Sequence, residues 1–144
     1  MIGNELRIGN WVTANTYPPM IVAAVMKHDI ECCIPKAESD NFDFEITEIQ
    51  GIPLTEDILL KCAGFGKYDV EKNELRIDCF NDLTLYCGET NIVQDKDGNF
   101  YSCFIGANYV EETAIYTIGE PFKFLHTFQN RFHSLTQKEL TVQL

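Results

Sequence analysis

Apolar and polar residues alternate along most of this chain, and in two places the period lengthens to that of a helix. Alternation of period two marks a half-buried strand. It predicts strands at Trp11–Ala14, Met20–Lys27, Asp29–Ile34, Phe42–Ile49, Glu74–Phe80, Leu83–Cys87, Phe100–Gly106 and Tyr109–Ile118. Asn81-Asp82 and Asp97-Gly98 stand where tight hairpin turns are expected, and Gly106 with Asn108 marks another.

The first helix is expected from Thr55 to Ala63. Thr55 is a good N-cap, Glu56 and Asp57 suit the positive end of the helix dipole, and Gly64 stops the run. Ile58, Leu59, Cys62 and Ala63 form its apolar side. The second is expected to open on Pro121, which is tolerated in a first turn, and to reach Leu135. Phe124, Leu125, Phe128, Phe132 and Leu135 fall in one arc of about 100° and read as a buried stripe. Lys123, His126, Thr127, Asn130, Arg131, His133 and Ser134 read as the solvated side. A short strand, Glu139–Val142, is expected to follow.

These elements define an α+β chain with a mostly antiparallel sheet and two helices, because the strands connect by tight turns. The strands before the first helix read as a small half-barrel. Those between the helices read as a meander that the second helix covers. A length of 144 residues fits a single domain, 1–144, able to bury a core without a metal or disulfide staple.

Charge changes this picture more than composition does. Acids outnumber bases 22 to 11, for a formal net charge of −11. A chain this negative is repelled by the phosphates of duplex nucleic acid and by anionic membranes. The acids concentrate at Glu38, Asp40, Asp43, Glu45, Glu48, Glu56 and Asp57, whereas the stretch from Pro121 onward is locally basic. The N-terminus lacks a secretory pattern and no apolar run reaches the ~20 residues of a membrane helix, so a cytoplasmic location is expected.

In that compartment the six cysteines are expected to be reduced. Cys79, Cys87 and Cys103 fall on apolar phases, and Cys32-Cys33 point to opposite faces of a strand. There is no C-x-x-C pair for zinc. Gly64-Phe65-Gly66-Lys67 follows a helix instead of opening one, so it is a turn and not a phosphate loop. Asp95-Lys96-Asp97-Gly98-Asn99 lacks the glycine and glutamate positions of a calcium loop and reads as a hairpin turn. His126 and His133, seven apart, match neither zinc spacing nor a histidine oriented by a carboxylate on its own helix. No catalytic residue, metal or cofactor is indicated. Lys123, His126, Asn130, Arg131 and His133 remain as candidates for contacting a partner or a small anionic ligand.

Three stretches resemble a group of short proteins of Bacteroidales gut bacteria, their phages and their mobile elements. They are Leu6-Arg7-Ile8-Gly9-Asn10-Trp11-Val12; Ile52 to Cys62 (IPLTEDILLKC) ending on Gly64-Phe65; and His126 to Thr136 (HTFQNRFHSLT) followed by Glu139-Leu140. Together they cover about a quarter of the chain. Ala63, inserted before Gly64-Phe65, and the long meander from Cys79 to Ile118 depart from the group's pattern. The resemblance implies a small α+β scaffold without an assigned activity and carries over no catalytic residue. The leading expectation is an accessory protein that acts by binding, modulating a host defence system. A nucleotide- or small-ligand-binding module, a virion component and an enzyme stay open beside it.

Overall fold

The computed structural model describes residues 5–35, 41–62, 66–67, 80–87, 90–95, 97–107 and 113–144, with side chains at 66–67, 80–91, 104–107 and 113–115 left aside. Among the described residues, two five-stranded sheets, antiparallel throughout, and two helices make the chain α+β, mostly sheet. It divides into two compact units: residues 1–54 with 124–140 and 144, and residues 55–123 with 141–143. Among the described residues no helix is long and apolar enough to cross a membrane.

The first unit holds β1 (Trp11–Ala14), β2 (Met20–Val25), β3 (Asp29–Cys33), β4 (Phe42–Glu45) and β5 (Ile49–Gly51) in the order β4-β3-β2-β1-β5. The run Phe42–Ile49 expected as one strand is therefore two. A turn divides it, in which the Glu48 amide donates to the Glu45 carbonyl (2.9 Å) and the Glu45 amide donates to the Glu48 carboxylate (2.9 Å). This short turn carries the chain from one edge of the sheet to the other. Four residues span at most about 14 Å, whereas the edges of a flat five-stranded sheet lie about 19 Å apart. The sheet must curl. Its inner face accordingly closes on one cluster of Leu6, Val12, Ala14, Met20, Val22, Ile30, Cys32, Phe44 and Ile49. Tyr17 sits edge-on to Phe44, with ring centroids 5.1 Å apart.

The second helix, α2 (Leu125–Thr136), also belongs to this unit, where it packs against β1. Its expected start is corrected. Pro121 lies in a strand, and the N-cap is Phe124, whose extended backbone bridges Pro53. Leu125, Phe128 and Phe132 are buried as expected, while Leu135, at the overhanging last turn, is 47% exposed. Gln137 closes the helix in the left-handed conformation (φ 58°), its amide donating to the His133 carbonyl (2.8 Å).

The second unit begins with α1 (Glu56–Leu60), shorter than expected. Thr55 caps it by accepting from the Ile58 amide (3.3 Å), and Leu59 and Cys62 are buried. Cys62 bridges Val142, so the expected strand at Glu139–Val142 reduces to this single bridge. β6 (Gly66–Lys67), β7 (Phe80–Cys87), β8 (Thr90–Asp95), β9 (Phe100–Ala107) and β10 (Thr113–Phe122) form a meander in sequence order. β6 and β8 were not expected. Gly66-Lys67, read as part of a turn, pairs with Tyr86 and Leu85.

Asn81-Asp82 is not a hairpin turn but lies inside β7, where the register against β8 shifts between Phe80 and Thr84. Turn-forming residues are equally at home in such a bulge. Pro121 is tolerated because β10 is an edge strand, irregular between Ile118 and Phe122, with Gly119 at φ 71°. The expected strand at Glu74–Phe80 lies, apart from Phe80, outside the described residues, as do Cys79 and residues 109–112.

Candidate functional site

Among the described residues a dense polar cluster joins the start of the first unit to α2. Residues 5–10 approach β1 through a turn in which the Asn10 amide donates to the Arg7 carbonyl (3.1 Å) and the Arg7 amide to Asn10 Oδ1 (2.8 Å). Gly9 takes φ 89°, which favours glycine. The turn faces one side of α2. Asn130 Oδ1 accepts from Arg7 Nε (2.8 Å) and Asn10 Nδ2 (3.0 Å), and Asn130 Nδ2 donates to the Glu5 carbonyl. Gln129 Oε1 accepts from the Trp11 amide (2.8 Å), and its Nε2 donates to the Gly9 carbonyl (3.2 Å). Arg7 also donates to both oxygens of Glu139, whose Oε1 lies 3.6 Å from His133 Nε2.

His126 completes the cluster from inside. Its ring is fully buried and stacks on Phe124 at 5.6 Å with planes 12° apart. Gly51 makes room for both rings. A Cβ there would fall 2.7 Å from Phe124 and 2.9 Å from His126 Cε1. Among the described residues neither ring nitrogen has a hydrogen-bond partner, and the Glu5 carboxylate stands 3.6 Å from Nε2. Burial lowers the pKa of His126 below the ordinary imidazole value, outweighing the opposing pull of Glu5.

The residues expected to form one solvated, positive face are thus distributed differently. His126 is in the interior, and Asn130 and His133 face partners within the chain. Arg131 is half-buried, and Lys123 is exposed in the second unit. The helical wheel misled because Phe124 lies before the helix and Leu135, in its last turn, is exposed. The buried arc, from Phe128 through Leu125 to His126, is about 160° wide at 100° per residue. Gln129 falls near its middle, and that position was the available signal.

Elsewhere the chemistry is muted. Asp95 accepts from the Asp97 amide (2.9 Å) and from the Asn99 amide (2.9 Å) and side chain, which holds its carboxyl below the usual range. The turn therefore occupies its carboxylate. Burial pushes the Cys32 and Cys103 thiols up to about 11. Among the described residues no group of three or more His, Cys, Asp or Glu is placed to hold a metal.

Acidic residues concentrate where β3 pairs with β4. Asp29 pairs with Glu45 and Glu31 with Asp43, four acids opposed two by two. Beside them, His28, Asp29, Glu45, Ile46 and Thr47 line an open concavity of about 290 Å³.

No protein-family model, curated protein or solved structure matches this chain.

Proposed function

We propose that the chain is a small accessory protein of the phage or mobile-element type, which works inside the cell by binding a basic surface on a host protein. The observation that carries this reading is the opposed acid pairs, Asp29 with Glu45 and Glu31 with Asp43. Like charges directly across a sheet destabilise it. Asp29, Asp43 and Glu45 are exposed, and among the described side-chain bonds only Glu31 accepts one, from Asn41. A basic partner would relieve the repulsion and gain a steered approach from a chain of net charge −11. The resemblance of the three quoted stretches to proteins of Bacteroidales, their phages and mobile elements supports the biological setting, including modulation of a host defence system.

The test compares wild-type protein with Asp43→Lys/Glu45→Lys as bait in lysate of a Bacteroidales host, followed by measured affinity of any purified partner. The reading expects a partner whose affinity falls steeply with salt and is lost in the variant. Equal retention by both baits, or no specific partner, overturns it.

A small-ligand module is the second reading, favoured by the concavity at His28 and Thr47. Its volume lies near the lower end for ligand pockets, roughly 300 Å³. Two carboxylates in its lining suit a cationic group better than a nucleotide phosphate. A rise in melting temperature with a polyamine or nucleotide would favour this reading.

A further inference from the structure

We propose that His126 and Glu5 form an acid-responsive latch: with the imidazole neutral the N-terminal segment and α2 stay docked, and protonating the buried ring loosens them.

The geometry is that of a group held where its charged form is poorly served. The ring has no solvent exposure, stacks on the Phe124 ring, lies close to the Gly51 backbone, and among the described residues has no hydrogen bond at either nitrogen. A protonated imidazole is a double donor and needs two acceptors. Only one is near. The Glu5 carboxylate stands 3.6 Å away on a side chain that is 60% exposed, so water weakens its help.

No other ionisable group among the described residues compensates. β5 contributes Ile49, Gln50 and Gly51. The adjoining turns of α2 contribute Leu125, Thr127, Phe128, Gln129 and Asn130, all uncharged. Arg7, on the segment that carries Glu5, is bound to Asn130 and Glu139, and His133 lies near Glu139. The latch sits beside the hydrogen bonds of Gln129 and Asn130 that dock the helix.

The sign follows from the burial. Because the docked ring has a lowered pKa, it takes up a proton less readily than a released one. Docking is at full strength above the ordinary imidazole value of about 6.5 and weakens as pH falls through the docked value. This device is independent of any partner.

Amide hydrogen exchange across α2, corrected for intrinsic rates, reads the latch between pH 7.5 and pH 5. Wild-type protection is expected to fall below about pH 6.5, by at most tenfold per pH unit for one proton. His126→Phe should abolish the fall, Glu5→Gln should enlarge it, and His133→Gln should leave it in place. A wild-type profile without the fall overturns the latch. So does a fall that persists in His126→Phe or disappears in His133→Gln. Should His126→Phe not fold, ring NMR of wild-type His126 decides the matter: a midpoint at or above about 6.5 overturns the proposal.

Discussion

The Arg7 guanidinium grips the Glu139 carboxylate through two hydrogen bonds, of 3.0 and 3.1 Å, across 132 positions of the chain. Two stretches that look like independent signatures in the sequence, one near each end, are thereby halves of one structure. Arg7, Gly9, Asn10 and Trp11 supply one half; Gln129, Asn130 and Glu139 supply the other. Within this network the visible ion pair is not the strongest member. Its side chains are 31% and 61% exposed, and such pairs contribute little in water.

Asn130 should therefore matter more than Glu139. Asn130→Ala removes the acceptor of Asn10, which is fully buried, and leaves that amide unsatisfied. The expected cost is about 1–3 kcal/mol. Glu139→Ala should cost at most about 1 kcal/mol. Urea denaturation of both variants checks the order, and equal losses would contradict it.

What the sequence disclosed of this network was its parts and not its connections. Period-two patterning located β1, β2 and β3 to within two residues, and β3 alternates strictly between a packed and a wetter face. It merged β4 with β5 because Ile46 continues the alternation of Phe42 and Phe44 into a turn fixed by Glu45 and Glu48. β8 escaped notice because its apolar residues, Ile92 and Val93, are adjacent and flanked by polar ones. On α2 the apolar stripe was legible. The buried His126 and Gln129 were not: a distant backbone, about 120 positions away, meets Gln129 in the core, and His126 fits there because Gly51 leaves room for its ring beside Phe124.

Phe128 and Leu135 separate the buried stripe from its apparent continuation. Phe128 is fully buried and packs edge-on toward Phe132 at 6.5 Å, whereas Leu135 is half exposed. Phe128→Ala should cost about 3–5 kcal/mol. Leu135→Ala should change stability by no more than about 0.5 kcal/mol. Thermal melts of the two variants provide the comparison.

Thiol reactivity should follow burial. Cys32 and Cys33 are neighbours, but Cys32 is buried with its thiol pushed up to about 11, while Cys33 is partly exposed on the other face. In the native protein at pH 8, iodoacetamide should label Cys33 well before Cys32 or Cys103, because the thiolate is the nucleophile. Peptide mapping by mass spectrometry resolves the three. Labelling of Cys32 at the rate seen in denaturant would show that the curled sheet opens readily.

The β8–β9 turn supplies a second pH test, of the same sign as that of His126 but in a more acidic window. Asp95 collects hydrogen bonds first from Asn99 and then from the Asp97 amide, and these favour its ionised form. Its folded pKa is lowered, so its contribution to the turn is complete above its ordinary value of about 4 and is lost as pH falls through the folded value. The effect is local because the site lies at the surface. In a pH titration followed by NMR, the Asp97 and Asn99 amides should shift together with a midpoint below about pH 4. Asp95→Asn keeps an acceptor oxygen without the titration, so the turn should form and the coordinated shift should vanish. If those amides still move together in Asp95→Asn, another group controls the turn, and Asp97 itself is the next to replace.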